Sequence, residues 1–142
     1  MSDGGTISGS FDELDREHCE ELLRSTVVGR VAYSGPEHIE ILPINYVYRD
    51  GAVLLRTAPY GPLAALAPGV DGVAFEIDHH EDLTQSGWSV VVAGRIEAVR
   101  ETAELARLWE DTRPSPWAAG TRTLLLRLTA TSITGRQVRR RA

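Results

Sequence analysis

A chain of 142 residues that is 42% hydrophobic and 25% charged has the size and composition of a single domain with room for a core. Its 15 Lys+Arg against 20 Asp+Glu give a formal net charge of -5, which disfavours a nucleic-acid partner by simple repulsion from phosphate. One cysteine, Cys19, excludes an internal disulfide framework, and no apolar run approaches the ~20 residues a membrane helix requires.

The opening MSDGGTISGS has neither the positive start nor the apolar segment of a signal peptide. Residues 1–10 read as a loose tail and 11–142 as one domain, expected to be cytoplasmic and to make no membrane contact. The first helix is expected over Asp15 to Ser25, with Asp15 as cap and Leu14 and Cys19 as a hydrophobic staple. Cys19, Leu22 and Leu23 then form one apolar stripe, so Cys19 reads as a core residue.

Strands follow. Gly29 to Ser34 alternates and stops at Gly35-Pro36; His38 to Tyr48 reads as a long strand interrupted at Pro43, which suits an edge or a bulge. Asp50-Gly51 signals a hairpin into Ala52–Thr57. A short helix over Pro62 to Leu66 precedes a fourth strand carrying Val73, Phe75 and Ile77 and a fifth over Trp88 to Val99. Thr102 to Asp111 reads as a helix with Leu105, Leu108 and Trp109 inward, and Leu124 to Thr129 as a last strand. Six strands joined mostly by short turns do not fit a doubly wound parallel sheet, which needs a helix between nearly every strand pair. A mainly β fold, an antiparallel barrel decorated by helices, fits better.

No hydrolase elbow, phosphate loop, dinucleotide fingerprint or zinc-protease motif occurs. Three stretches suit a ligand instead. Leu42-Pro43-Ile44-Asn45-Tyr46 is a broken strand whose freed backbone groups can read the edge of a flat ring, although an ordinary edge bulge has the same sequence. Arg56 and Thr57 end a strand just before a helix start and could take a phosphate, or could be plain surface residues. Gly87 permits close approach while Trp88 offers a stacking wall, or caps the core; Trp117 is open to the same two readings. His79 and His80 lie among carboxylates but point to opposite sides in an extended chain, so no metal site is expected.

In order and spacing, these stretches resemble the pyridoxamine 5′-phosphate oxidase-like, FMN-binding split-barrel family, in its small actinobacterial form. The carrying motifs are Val28-Gly29-Arg30-Val31-Ala32, Leu42 to Tyr46, Leu55 to Pro59, Val73 to Asp78, Ser86 to Val90 with Gly94-Arg95, Pro116-Trp117-Ala118 and Ile133 to Arg136. The resemblance implies a six-stranded antiparallel split β-barrel, and a homodimer with its cofactor groove between subunits. It implies an FMN-dependent oxidoreductase acting on an unknown small-molecule substrate. Pro43, Ile44, Asn45 and Tyr46 would lie along the isoalloxazine, Arg56 and Thr57 near the phosphate, and Trp88, Ser89 and Trp117 around the ring.

Two departures qualify it. Relatives that hold flavin commonly place a Lys where this chain has Pro62, and an Asp-His pair where it has Thr123-Leu124. Pro62 donates nothing to a phosphate, and one lost contact of ~1.5–3 kcal/mol weakens binding roughly ten- to a hundredfold. A deazaflavin, haem or cofactor-less sensor module on the same barrel is the alternative. Oxidation of pyridoxamine phosphate itself is not expected from a chain lacking a second phosphate-binding set, and no catalytic acid or base is assigned.

Overall fold

The structure, a computed structural model, describes residues 9–112 and 124–140. Strand β1 (Gly9–Leu14) leads into helix α1 (Arg16–Ser25). Asp15 caps that helix by accepting the His18 amide at 2.8 Å, worth about 1 kcal/mol. Strands β2 (Val28–Ser34), β3 (Ile39–Asn45), β4 (Val47–Arg49) and β5 (Ala52–Thr57) follow. A single 3-10 turn, Pro62–Leu66, precedes β6 (Val70–Glu81) and β7 (Ser86–Ala98). Helix α2 (Thr102–Asp111) and β8 (Leu124–Arg140) complete the described fold.

Every strand pairing is antiparallel, in the order β3-β2-β6-β7-β8-β5-β4, with β1 on β8. The sheet curls until β3 touches β5, which makes it a split barrel. Asp50 and Gly51, both at positive φ (51° and 79°), form the hairpin turn between β4 and β5 that this dipeptide favours.

Three expectations are corrected. Among the described residues there are eight strands, not six. The long strand breaks at Tyr46 instead of Pro43: the Tyr46 amide bonds the Val27 carbonyl, so by alternation the Arg30/Pro43 pair is a non-hydrogen-bonded one, and the proline's missing N–H, turned to the free edge of β3, costs no ladder bond. The last strand runs eleven residues beyond Thr129 to Arg140 (140 − 129), because β7 continues to pair with it past the bulge at Ala93/Gly94. The added strand β1 pairs with that extension. Residues 1–8 of the expected tail, and the loop 113–120, lie outside the described residues.

The period-two pattern sorts residues to the two sides of the sheet. Val31, Phe75, Ile77, Val90, Val92, Leu126 and Leu128 fill the inside, with Cys19 and Leu23 of α1 closing it. Each such side chain contributes roughly 1.5–3 kcal/mol. A second, smaller core lies where α2 covers the outside of β5 and β8, through Leu54, Val99, Leu108 and Leu125. The rest of the outer face, across β3, β2, β6, β7 and the far half of β8, has no element over it among the described residues.

Candidate functional site

The outer face is organised in rows that cross the strands. In one row Pro43 (β3) pairs with Arg30 (β2), Arg30 with Glu76 (β6), Glu76 with Val91 (β7) and Val91 with Thr134 (β8). The adjacent row contains Asn45 paired with Val28, then Asp78 paired with Ser89, Ser89 with Arg136, and Arg136 with Glu13 of β1. Two of the expected ligand stretches, Pro43 with Asn45 and Ser89, therefore share one face, although 44 residues separate Asn45 from Ser89 in sequence (89 − 45). At ~4.8 Å per strand, Asn45 to Arg136 spans about 19 Å of curved surface.

Asn45 Oδ1 is buried and, among the described residues, lacks a hydrogen-bond partner. An acceptor in that state is costly unless a donor arrives, and the N–H edge of a flat heterocycle is such a donor. At the other end of the row, Arg136 has no carboxylate partner among the described residues; its guanidinium lies 5.5 Å from the Phe11 ring centre. A cavity of about 590 Å³ opens there, lined by Phe11, His80, Gly87, Ser89, Arg136 and Val138, among others. Gly87 forms part of its floor, where a Cβ would press on the His79 carbonyl at 2.8 Å.

The remaining expected residues are placed differently. Tyr46 has its ring in the core, 4.7 Å from Phe75, with its hydroxyl donating to the Leu23 carbonyl at 2.6 Å and paired with Thr26. Burial pushes that phenol up. Ile44 also packs on the core. Trp88 reaches the edge of the cavity, but its indole packs on the inner core and stacks with His79 at 6.3 Å. Thr57 is buried at the end of β5. Trp117 lies outside the described residues.

Arg56 is committed to α2. Its Nε donates to Thr112 Oγ1 at 3.0 Å, an Nη donates to the Trp109 carbonyl, and the guanidinium lies 3.6 Å over the Trp109 ring. Burial lowers its pKa. Within one protomer Arg56 and Trp88 thus line different places: β8 lies between their strands in the sheet, and Arg56 turns outward to α2 while Trp88 turns inward to the core. His79 and His80 point to opposite sides as expected, His80 lying 3.3 Å from Asp82. No group of three metal-ligating residues occurs among the described residues.

Arg136, Glu76, Asp78 and Arg30 were given no role by the sequence reading. Glu76 and Asp78 at i, i+2 in a strand could have been seen to share a face. That Arg30 bridges them, and that Arg136 stands beside Ser89, depends on pairings no single sequence displays.

A curled antiparallel sheet, plugged by one helix and carrying a polar row across its open face, defines a split-barrel protein. Residues 15–137 match the family model described as pyridoxamine 5′-phosphate oxidase, and the chain belongs to that family. An uncharacterised protein of Mycobacterium tuberculosis, Rv0080, is 34% identical over 99 residues, covering 67% of this chain and 65% of that one. The chain therefore matches less than two thirds of that relative's length. The FAD binding protein from Mycobacterium smegmatis is 34% identical, covers 90% of this chain and 98% of its own, and superposes with a TM-score of 0.75. The FAD and heme binding protein of the same organism, 18% identical over 90% of this chain and 72% of its own with a TM-score of 0.66, shares the fold. No helix among the described residues is long and apolar enough to cross a membrane.

Proposed function

We propose that this protein binds a flavin nucleotide along the outer face of the barrel and serves as a cytoplasmic flavin-dependent oxidoreductase for a small molecule. The row Asn45–Val28–Asp78–Ser89–Arg136 carries the reading. It offers an unsatisfied acceptor at one end and a cation beside a cavity at the other, over a length suited to a ring system with a phosphorylated tail. The fit to flavin rests on those two features: Asn45 Oδ1 would accept from the ring edge and Arg136 would take the phosphate. A bound flavin supplies hydride or electron transfer; the protein's part is to bind and orient it. The similarity to a 34%-identical FAD-binding protein supports the same reading.

The protein is further proposed to act as a homodimer with the cofactor groove between copies. Ile39 and Ile41, at 68% and 62% exposure, flank the row on the same face as Val28, and leaving so much apolar surface in water favours a second copy. Sedimentation at micromolar concentration should give twice the subunit mass; a lone subunit would overturn the dimer.

The direct experiment is a visible spectrum of freshly purified protein, followed by titration with FMN and FAD. Flavin absorption, or quenching of added flavin fluorescence, supports the proposal. Colourless protein that quenches neither flavin refutes it. The second reading, a binding or sensor module with a changed cofactor such as a deazaflavin or haem, draws on Pro62 and on the engagement of Arg56 by α2. Haem or deazaflavin titration under the same conditions distinguishes it.

A further inference from the structure

Glu76 and Asp78 are alternate residues of β6 and project from the same side of the sheet. One nitrogen of Arg30 serves both, at 3.1 Å from Glu76 Oε1 and 2.8 Å from Asp78 Oδ2. A single cation between two carboxylates leaves one negative charge uncompensated when both are ionised. The cluster lies within the two rows described above, between Asn45 and Ser89.

Its surroundings offer little other charge. Pro43 of β3 and Val91 of β7 stand beside it, and Ala32 and Ala74 form the next row. The ionisable groups that face the pair are Arg30 on β2, His80 two residues further along β6, and Arg136 on β8, beyond Ser89 with Glu13 on its far side. Partial burial and the adjacent Asp78 raise Glu76 to about 7, while the hydrogen bond from Glu76 holds Asp78 below the usual carboxylate range. Around neutrality the two carboxylates therefore exchange between holding one proton, on Glu76, and holding none.

We infer that the Glu76–Asp78 pair bridged by Arg30 is a proton-dependent specificity element of the ligand face. The face accepts an anionic phosphorylated ligand when Glu76 holds its proton and opposes it when both carboxylates are ionised. The inference rests on the proposed flavin site. Asp78 stands one strand from Ser89 and two from Arg136, roughly 5 and 10 Å, within about one screening length of a phosphate held there. An uncharged ring would be indifferent to the same change.

The test is equilibrium binding of FMN and of riboflavin, which has the same ring without the phosphate. Both are titrated into the full chain, freed of any bound flavin, at constant ionic strength between pH 6.5 and 8.5. FMN affinity should fall about three- to tenfold over that range, within the limit of tenfold per pH unit for one linked proton. Riboflavin affinity should stay level. The phosphate's own second ionisation lies near pH 6, so Glu76→Gln is the reference: it should keep FMN affinity near the wild-type acid value throughout. Carboxyl-carbon NMR should show one glutamate titrating near neutrality in the wild type and missing in Glu76→Gln. Parallel FMN profiles in the two proteins, or no such titration, overturn this inference while leaving the flavin site standing. Failure of both flavins to bind at every pH overturns both.

Discussion

The guanidinium of Arg56 lies 3.6 Å over the indole of Trp109 and hydrogen-bonds the last turn of α2 through Thr112 and the Trp109 carbonyl. A cation there meets the negative end of the helix and adds a charged donor to a Trp109 carbonyl otherwise held only by the long 3.4 Å bonds from the Thr112 amide and hydroxyl. Replacing Arg56 with Ala should cost about 1–3 kcal/mol of unfolding free energy, read from denaturant melts. At a temperature where both proteins are folded, FMN affinity should change less than in the Arg136 variant. Unchanged stability would show that α2 does not depend on this contact.

Arg136→Ala should leave stability within about 1 kcal/mol, since among the described residues the contact it loses is the 5.5 Å one with Phe11. FMN binding should weaken roughly ten- to a hundredfold, the size of one charge-assisted contact to phosphate, while riboflavin binding should hardly move. Equal losses for the two flavins would place the phosphate elsewhere.

Glu76 also ties stability to pH. Its folded-state value of about 7 exceeds the 4.5 of an unperturbed glutamate, so the folded protein keeps a proton that the unfolded chain has released. The resulting stabilisation is complete below about 4.5 and is lost as pH rises through about 7. Asp78, shifted down, contributes in the opposite sense: its stabilisation is lost only as pH falls through its lowered value, so the neutral window belongs to Glu76. Because the Glu76 side chain is 34% exposed, solvent reduces the effect to about 1 kcal/mol. Melts at pH 6 and 8 should show the wild type losing stability at the higher pH, with Glu76→Gln nearly flat.

Gly94 stands at the bulge between β7 and β8, where a Cβ would overlap the Thr129 carbonyl oxygen. Backbone cannot move aside as a flexible side chain can. Gly94→Ala should therefore cost more than about 3 kcal/mol or prevent folding. Circular dichroism and a urea melt would decide it; a melt like the wild type's would mean that the bulge can relocate.

Much of the architecture was legible because its signals are local. Asp15 caps α1, Asp50-Gly51 turns β4 into β5, and the alternation of Val73, Phe75 and Ile77 marks the inner face of β6. The errors lie where distant pairing decides the outcome. Ser132 to Arg140 carries polar residues and a glycine that weaken a strand signal, and it is extended because β7 and β1 flank it. The break at Tyr46 is fixed by its hydroxyl reaching Leu23 on α1. The site followed the same division. Pro43, Asn45 and Ser89 were found as stretches with unusual backbone chemistry, but their common face, and the cations and carboxylates that share it, emerge only from register. The engagement of Arg56 by α2 was hidden for a related reason: an arginine before a turn looks free until a helix 53 residues later (109 − 56) folds back over it.

The 17 residues of β8 hold β7 along one side and both β1 and β5 along the other. During synthesis, β5 and β7 therefore leave the ribosome long before the segment that pairs with both of them. Until Leu124 to Arg140 emerges, the nascent chain presents two apolar strand edges ready to join the wrong neighbour.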